Sequence, residues 1–328
     1  MFPQRVMVSM LTNRMPEVPG RAGPQTRLDK ADGRRLMGMA VFSCALLAVF
    51  LKPLFDLFRY SLGSDLYSYV LLVPLISLYL IWQRREDLKV PLSMAWKPAL
   101  PFLVFGLSLL WANWSLNGSG ARSSAGDQHT FTAAGFVSLL IGGCFFFCGV
   151  RLVKTIWFAI AFLYFVAPLP RVLTDWIIHA LQHLSADASY LLLKLSGTPV
   201  LRDGLVFHLP GINLEVAEEC SGIHSTLVLF ISSLLAGHLF LRSPLKKAIL
   251  VFLVFPLGVL RNGFRIWTIS MLCVHVDPGM IDSPIHRRGG PLFFVASLVP
   301  FIAILLLMRR AELRKPAREV TSPSEAPR

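Results

Sequence analysis

The sequence predicts an all-α, polytopic membrane protein with about eight transmembrane helices, an interfacial helix on the outer side and a short β-hairpin. Three observations lead to this fold class. Of the 328 residues, 54% are hydrophobic and only 16% are charged, which is too little polar surface to coat a soluble globule of this size. Apolar runs long enough to cross a ~30 Å hydrocarbon core recur along the chain. Basic residues gather beside alternate runs, as the positive-inside rule describes.

The apolar runs and their flanking charges determine the predicted topology. The basic clusters place both chain termini in the cytoplasm, and Cys220 and the loop 277–290 on the outer face. Because the basic residues lie beside apolar runs, the formal net charge of +13 does not indicate a nucleic-acid-binding domain, and no nucleic acid is expected as a partner. The runs lie at roughly 37–55, 66–82, 98–114, 130–150, 154–168, 221–240, 247–270 and 291–308.

Two terminal segments flank the predicted membrane domain, residues 36–308. Residues 1–35 are predicted to form a disordered, basic, cytoplasmic leader, because their arginines and lysines lie among prolines and glycines. A cleaved signal peptide is not favoured, since the first apolar run begins near Met37 and leads directly into further spans. Residues 309–328 are polar and contain prolines, which predicts a disordered cytoplasmic tail.

Residues 171–196 hold apolar positions in a helical pattern that polar residues interrupt. This pattern favours an amphipathic helix that lies in the outer interface. A full crossing would invert the topology that follows and would place Lys246 and Arg309 outside, against the charge rule. In the next segment, 198–217, prolines and glycines separate alternating apolar patches, which predicts a short hairpin.

The stretch Glu218–His224 sets a thiol, Cys220, where an extended segment turns into an apolar helix. A helix N-terminus favours the nucleophilic thiolate, whereas the carboxylates of Glu218 and Glu219 oppose it, so a nearby cation is expected. The alternative, a small buried apolar cysteine, is the interpretation for the remaining four. No cysteine belongs to a metal-spaced set, so we expect neither zinc nor another cofactor. The remaining four are Cys44, Cys144, Cys148 and Cys273.

A second feature, Arg261-Asn262-Gly263-Phe264-Arg265, places two guanidinium groups within an apolar run. Charges at membrane depth usually mark a functional site, a partner or a water-filled cavity. Arg261 and Arg265 are four residues apart and therefore share one helix face. Arg261 is also compatible with a plain salt bridge to Glu218 or Glu219. Arg265 is predicted to face the thiol and to stabilise a thiolate or an oxyanion.

A third feature is His286, which precedes the last apolar run. An imidazole at the outer interface is suited to proton transfer beside a thiol. On spacing alone His224 is an equal candidate, because it lies one helical turn beyond Cys220. Three further histidines are expected to be interfacial polar residues, namely His179, His183 and His208.

In order and spacing, these features resemble the exosortase and archaeosortase family of membrane cysteine transpeptidases, over most of residues 36–308. The resemblance implies that Cys220 is the nucleophile, Arg265 the essential cation and His286 the proton carrier, in place of His224. The candidate supporting residues are Glu219, Arg261, Asn262 and Ser221. The matching elements are Tyr67-Ser68-Tyr69 to Pro74 with Trp82 and Arg84, Pro168-Leu169-Pro170, Cys220-Ser221-Gly222, Asn262-Gly263-Phe264-Arg265-Ile266, and His286 followed by Gly290.

The resemblance implies an enzyme of the inner membrane of a Gram-negative bacterium, with its active site on the periplasmic face. The implied substrates are exported proteins that end in a Pro-Glu-Pro-like (PEP-CTERM) motif, an apolar span and a basic tail, and membrane lipid is a further partner. The implied reaction cleaves this sorting signal and transfers the protein to an acceptor. The alternative is a transporter, or a non-catalytic subunit of exopolysaccharide synthesis or export. Against it, the sequence contains no inverted repeat and gives a transporter no use for the thiol.

Overall fold

Helices make up most of the structure. The computed structural model describes residues 30–118, 124–283 and 289–314. In this part of the chain the α-helices are joined by short 3₁₀ turns, one π-helical turn and one small sheet. The helices are α1 (Lys30–Leu62), α2 (Val73–Gln83), α3 (Trp96–Gly118), α4 (Ala125–Gly143), α5 (Gly149–Thr155), α6 (Trp157–Phe162), α7 (Arg171–Leu195), α8 (Ile223–Phe240), α9 (Pro244–His275) and α10 (Gly290–Leu313), and the strands are β1 (Leu201–Asp203), β2 (Val206–Leu209) and β3 (Ile212–Glu215).

Among the described residues, 6 helices are long and apolar enough to cross a membrane, and up to 7 spans result if the bent pair Trp157–Val166 and Arg171–Leu195 counts as one. The predicted fold class, a mostly helical polytopic membrane protein, is confirmed. The sequence predicts about eight spans because it counts each apolar run. The run at 66–82 forms a shorter helical segment, Ser68–Gln83, which at 1.5 Å per residue is shorter than a ~30 Å core. The run at 154–168 forms the first limb of the bent pair.

The terminal segments are only partly covered by the described residues. Helix α1 begins at Lys30 and α10 ends at Leu313. The rest of the predicted leader 1–35 and most of the predicted tail 309–328 lie outside the described residues. Their disorder therefore stays a prediction.

The helix predicted for residues 171–196 is present as α7, and its axis lies at 88° to the preceding helical segment Trp157–Val166. Helix α4 holds the start of α7, because the Asp127 carboxylate accepts a hydrogen bond from the Arg171 N–H at 2.7 Å. That N–H has no partner within its own helix, as is general for the first residues of a helix. The predicted position of α7 along the membrane surface stays a prediction.

The face of α7 that meets α9 includes several small residues. Ser185, Ala186 and Ser189 are buried, and a Cβ on Gly263 of α9 would lie only 2.7 Å from the Ala188 Cβ. The two helices therefore approach closely, as membrane helices do when small residues meet at their interface. Several large apolar side chains of α7 are exposed, namely Val172, Trp176, Leu191 and Leu195.

After α7 the chain forms a three-stranded antiparallel sheet in the order β1-β2-β3, one strand more than the predicted hairpin. One face of the sheet is apolar. Phe207 of β2 and Leu214 of β3 are buried in a cluster with Ile266 and Ile269 of α9. The sheet thereby holds the segment that leads to Cys220 against α9.

The flanking charges predict which loops face the cytoplasm, and cysteine labelling tests this topology. In a chain whose five native cysteines are replaced by alanine, we expect a membrane-impermeant maleimide to label Asp203→Cys in intact spheroplasts, but neither Leu88→Cys nor Leu245→Cys. After detergent solubilisation all three positions should be labelled, which controls for access. Labelling at 88 or 245 without labelling at 203 would mean that the orientation is inverted, and labelling at both 88 and 203 would mean that the short segment Ser68–Gln83 does not cross the membrane.

Candidate active site

Cys220 lies on a short 3₁₀ turn, Glu218–Ser221, that connects β3 to α8. Its backbone N–H donates to the carbonyl oxygen of Ala217 at 2.9 Å. The thiol is therefore at the corner between an extended segment and an apolar helix, as the sequence predicts. Cys220 is half-buried, whereas Cys148 and Cys273 are buried within helical segments.

Gly222 ends this turn in the left-handed region, with φ of 74°, and α8 begins at the next residue. A Cβ at this position would lie 2.8 Å from Arg261 Nη2 and 2.9 Å from Asn262 Cγ. Glycine is needed here for two reasons, the backbone conformation and the close approach of α9. The Gly222 carbonyl oxygen accepts from Thr226 Oγ1 at 2.9 Å, which ties the turn to the first turn of α8.

Two consecutive side chains of α9 hold the cysteine turn. Asn262 Nδ2 donates to the carbonyl oxygen of Cys220 at 2.6 Å, and Arg261 Nη2 donates to the carbonyl oxygen of Gly222 at 3.2 Å. Both residues are buried. The alternative role of Arg261, a plain salt bridge to Glu218 or Glu219, has no support among the described side chains, where Arg261 forms no ion pair and instead binds the backbone. These two hydrogen bonds fix the position of the cysteine turn along α9.

Arg265 lies one helical turn beyond Arg261 and shares a cavity of about 210 Å³ with Cys220. The remaining walls are mainly apolar side chains from β3, α9 and the segment that follows α9. In surroundings of low polarity a charge interacts more strongly with its neighbours than it does in water. The structure therefore brings together the predicted nucleophile and the predicted cation. The other lining residues are Leu214, Glu215, Val216, Ala217, Ile266, Ile269 and Ile281.

A second, larger cavity of about 740 Å³ lies on another side of Arg265 and contains His224. It is more polar, since Asp65 and Glu218 also line it. The spacing argument that made His224 an equal candidate is wrong in this structure. Because the left-handed Gly222 separates the 3₁₀ turn from α8, Cys220 and His224 are not four residues apart on one helix.

His286 lies outside the described residues, which end at 283 and resume at 289, and the side chain of Glu219 is likewise not described. The described residues on either side of this gap border the two cavities. Ile281 lines the smaller cavity, and Gly290 lines the larger one. The predicted roles of His286 and Glu219 therefore stay predictions.

Ser221, the remaining supporting candidate, has a local structural contact. Its side chain is buried, and its Oγ accepts from the Ile223 N–H at 3.4 Å at the start of α8. This contact satisfies one of the unpaired N–H groups of the helix start. Sequence reasoning did not identify Asp65 as a cavity residue. Its position immediately before the second apolar run, 66–82, at the predicted outer end, is the signal that could have found it.

A family model described as transmembrane exosortase (Exosortase_EpsH) matches residues 60–303. The match covers about three quarters of the chain and includes Cys220, Arg265 and His286. No curated protein and no solved structure shows significant similarity to the sequence.

The close approach of α9 to Gly222 can be tested against a glycine of the same conformation. Gly197 has φ of 73°, and a Cβ there would meet nothing within 4 Å. Alanine at either position is strained by about 1–2 kcal/mol, because an L residue is disfavoured in this region. We expect Gly222→Ala to lower the free energy of unfolding by about 1–3 kcal/mol more than Gly197→Ala, because it also displaces Arg261 and Asn262. Thermal unfolding in detergent measures the difference. Equal losses would contradict the close approach.

Proposed function

The chain belongs to the transmembrane exosortase family of cysteine transpeptidases, and from that premise we propose that Cys220 is the nucleophile that cleaves a C-terminal sorting signal of exported proteins. The observation that supports this most strongly is the cavity that Cys220 shares with Arg265. An enzyme needs a nucleophile and a fixed cation at one point, and no transport function would require the thiol there. The family assignment therefore favours the enzyme over the transporter or non-catalytic subunit.

In the first step, His286 takes the proton of the Cys220 thiol, and the thiolate attacks the carbonyl carbon of the scissile peptide bond. The new S–C bond moves the carbonyl π electrons onto oxygen. Arg265 stabilises this oxyanion with its fixed positive charge. When the oxyanion collapses, the C–N bond breaks and His286 returns the proton to the leaving amine. A thioester on Cys220 remains, and the membrane anchor of the substrate departs with a new amino terminus.

In the second step, a nucleophile with a transferable proton attacks the thioester carbonyl. His286 accepts that proton, Arg265 again stabilises the oxyanion, the C–S bond breaks, and His286 returns the proton to the departing sulfur to regenerate the Cys220 thiol. The exported protein is thereby joined to the acceptor. Electrons and protons balance over the two steps, so the reaction needs no cofactor.

The position of the thiol suits substrates with a membrane anchor. Cys220 lies at the start of the apolar helix α8, where its turn meets α9. A substrate helix that lies beside these helices would present its first exposed peptide bond near the same depth. We place the site on the periplasmic face of the inner membrane, with the basic tail of a PEP-CTERM-like substrate in the cytoplasm.

Replacing the thiol tests the proposed function directly. With a co-expressed reporter that ends in a Pro-Glu-Pro motif, an apolar span and a basic tail, Cys220→Ala is expected to abolish processing because no thioester can form. Immunoblotting should show only the full-length reporter. The matched control Cys44→Ala, at an exposed cysteine, should process the reporter as the parent chain does. Normal processing by Cys220→Ala would refute the proposed nucleophile.

Lysine at position 265 tests whether the guanidinium fork is needed. Arg265→Lys keeps the charge but loses the planar pair of donors, so we expect processing to fall by at least ~100-fold, the usual cost of losing an oxyanion donor. The same substitution one helical turn earlier, Arg261→Lys, should cost less, because an ammonium group can still donate to the carbonyl oxygen of Gly222. Initial rates in membranes or nanodiscs give both values. Similar losses at the two positions would mean that Arg265 acts only through the fold.

A further inference from the structure

Strand β3 is an edge strand, because the sheet order is β1-β2-β3. The bond from the Val216 N–H to the Leu205 carbonyl oxygen, at 3.0 Å, shows which residues of β3 face β2. Every second residue does so, which makes Leu214 (opposite Phe207) and Ile212 (opposite Leu209) the other residues of β3 that bond to β2. Backbone groups along an antiparallel strand point alternately toward and away from the neighbouring strand. The groups of alternate residues, Asn213 and Glu215, therefore point away from β2.

Most of these outward groups have no partner among the described residues. The Glu215 carbonyl accepts from Ala217 N–H at 3.1 Å. The N–H and C=O of Asn213 and the N–H of Glu215 have no hydrogen bond within the described part of the chain, and both residues are exposed. An unpaired strand edge is a ready template for another extended chain.

This edge leads into the cavity of the nucleophile. Leu214 and Glu215 of β3 line the same cavity of about 210 Å³ as Cys220 and Arg265. Ile269 of α9 lines it too. A cavity of this size holds one or two side chains, not a folded domain. Its contact with both the strand edge and the thiol indicates an extended peptide as the occupant.

We propose that the substrate binds as an added strand along the outer edge of β3. This inference rests on the proposed function and defines how its substrate is held. An extended peptide offers the N–H and C=O of every second residue to one side, which matches the groups of Asn213 and Glu215. One apolar side chain next to the scissile bond enters the cavity, and the scissile carbonyl lies at the Cys220 sulfur. The backbone bonds give affinity, and the cavity gives selectivity.

The strand edge can be altered without breaking the sheet. Asn213→Pro removes an N–H that faces away from β2, so it removes no bond of the β2–β3 ladder, and proline is tolerated at such edge positions. We expect kcat/KM for the reporter to fall roughly three- to tenfold, the effect of one lost hydrogen bond. The matched control Asn213→Ala removes the same side chain, with its hydrogen bond to His208, but keeps the N–H, so its kcat/KM should exceed that of Asn213→Pro by that same factor.

The rate at which iodoacetamide alkylates Cys220 shows whether the site is intact in Asn213→Pro. This rate should equal that of the parent chain. If that variant does not fold, peptides carrying the reporter motif and N-methylated at one position at a time should show sensitivity at every second residue. Strand addition would be overturned if N-methylation had no effect or the same effect at every position, or if the proline and alanine variants were equally active.

A change of oligomeric state without a change in processing would instead indicate that two copies of the chain pair along this edge. Loss of the Cys220 requirement would overturn the proposed function, which is a separate result.

Discussion

The rest of the site depends on the hydrogen bonds by which two side chains of α9 bind the cysteine turn. Asn262 and Arg261 bind the carbonyl groups of Cys220 and Gly222. A 3₁₀ turn at a strand-to-helix junction has few internal bonds, so its position must be set from outside. These two bonds set it, and Arg265 follows on the next turn of the same rigid helix. The placement of Cys220 beside Arg265 therefore depends on α9, which carries Arg265 and binds the cysteine turn.

This arrangement places buried charge inside an apolar bundle. Arg261 and Arg265 carry like charges four residues apart on one helix, and such neighbours repel. Arg261 is buried, and a buried guanidinium is costly unless its donors find acceptors. The Gly222 carbonyl supplies one acceptor, which is available only because glycine lets the backbone approach this closely. The Cys-Ser-Gly motif thus carries a packing requirement, at its glycine, as well as the proposed nucleophile.

The sequence predicted what depends on local pattern. Runs of apolar residues indicated the helices, and the change from polar to apolar residues at 217–223 indicated the corner at Cys220. The sequence could not predict features that depend on the backbone conformation of one residue, or on contacts between segments that are distant in the chain. The left-handed Gly222 removed the expected helical relation between Cys220 and His224. The cavity walls were not predictable either, because Leu214, Ile269 and Ile281 are far apart in the chain and line one cavity only in the folded structure.

The two cavities that Arg265 borders differ in polarity, and a charged side chain can lie between them. The smaller cavity is mostly apolar, so the field of the guanidinium reaches Cys220 with little screening. The same lack of polarity would disfavour the charged form if Arg265 were wholly enclosed. Arg265 is only half-buried, and it also borders the larger cavity, where Asp65 and Glu218 provide negative charge and access to water. Arg265 therefore borders polar surroundings in one cavity and the proposed nucleophile in the other.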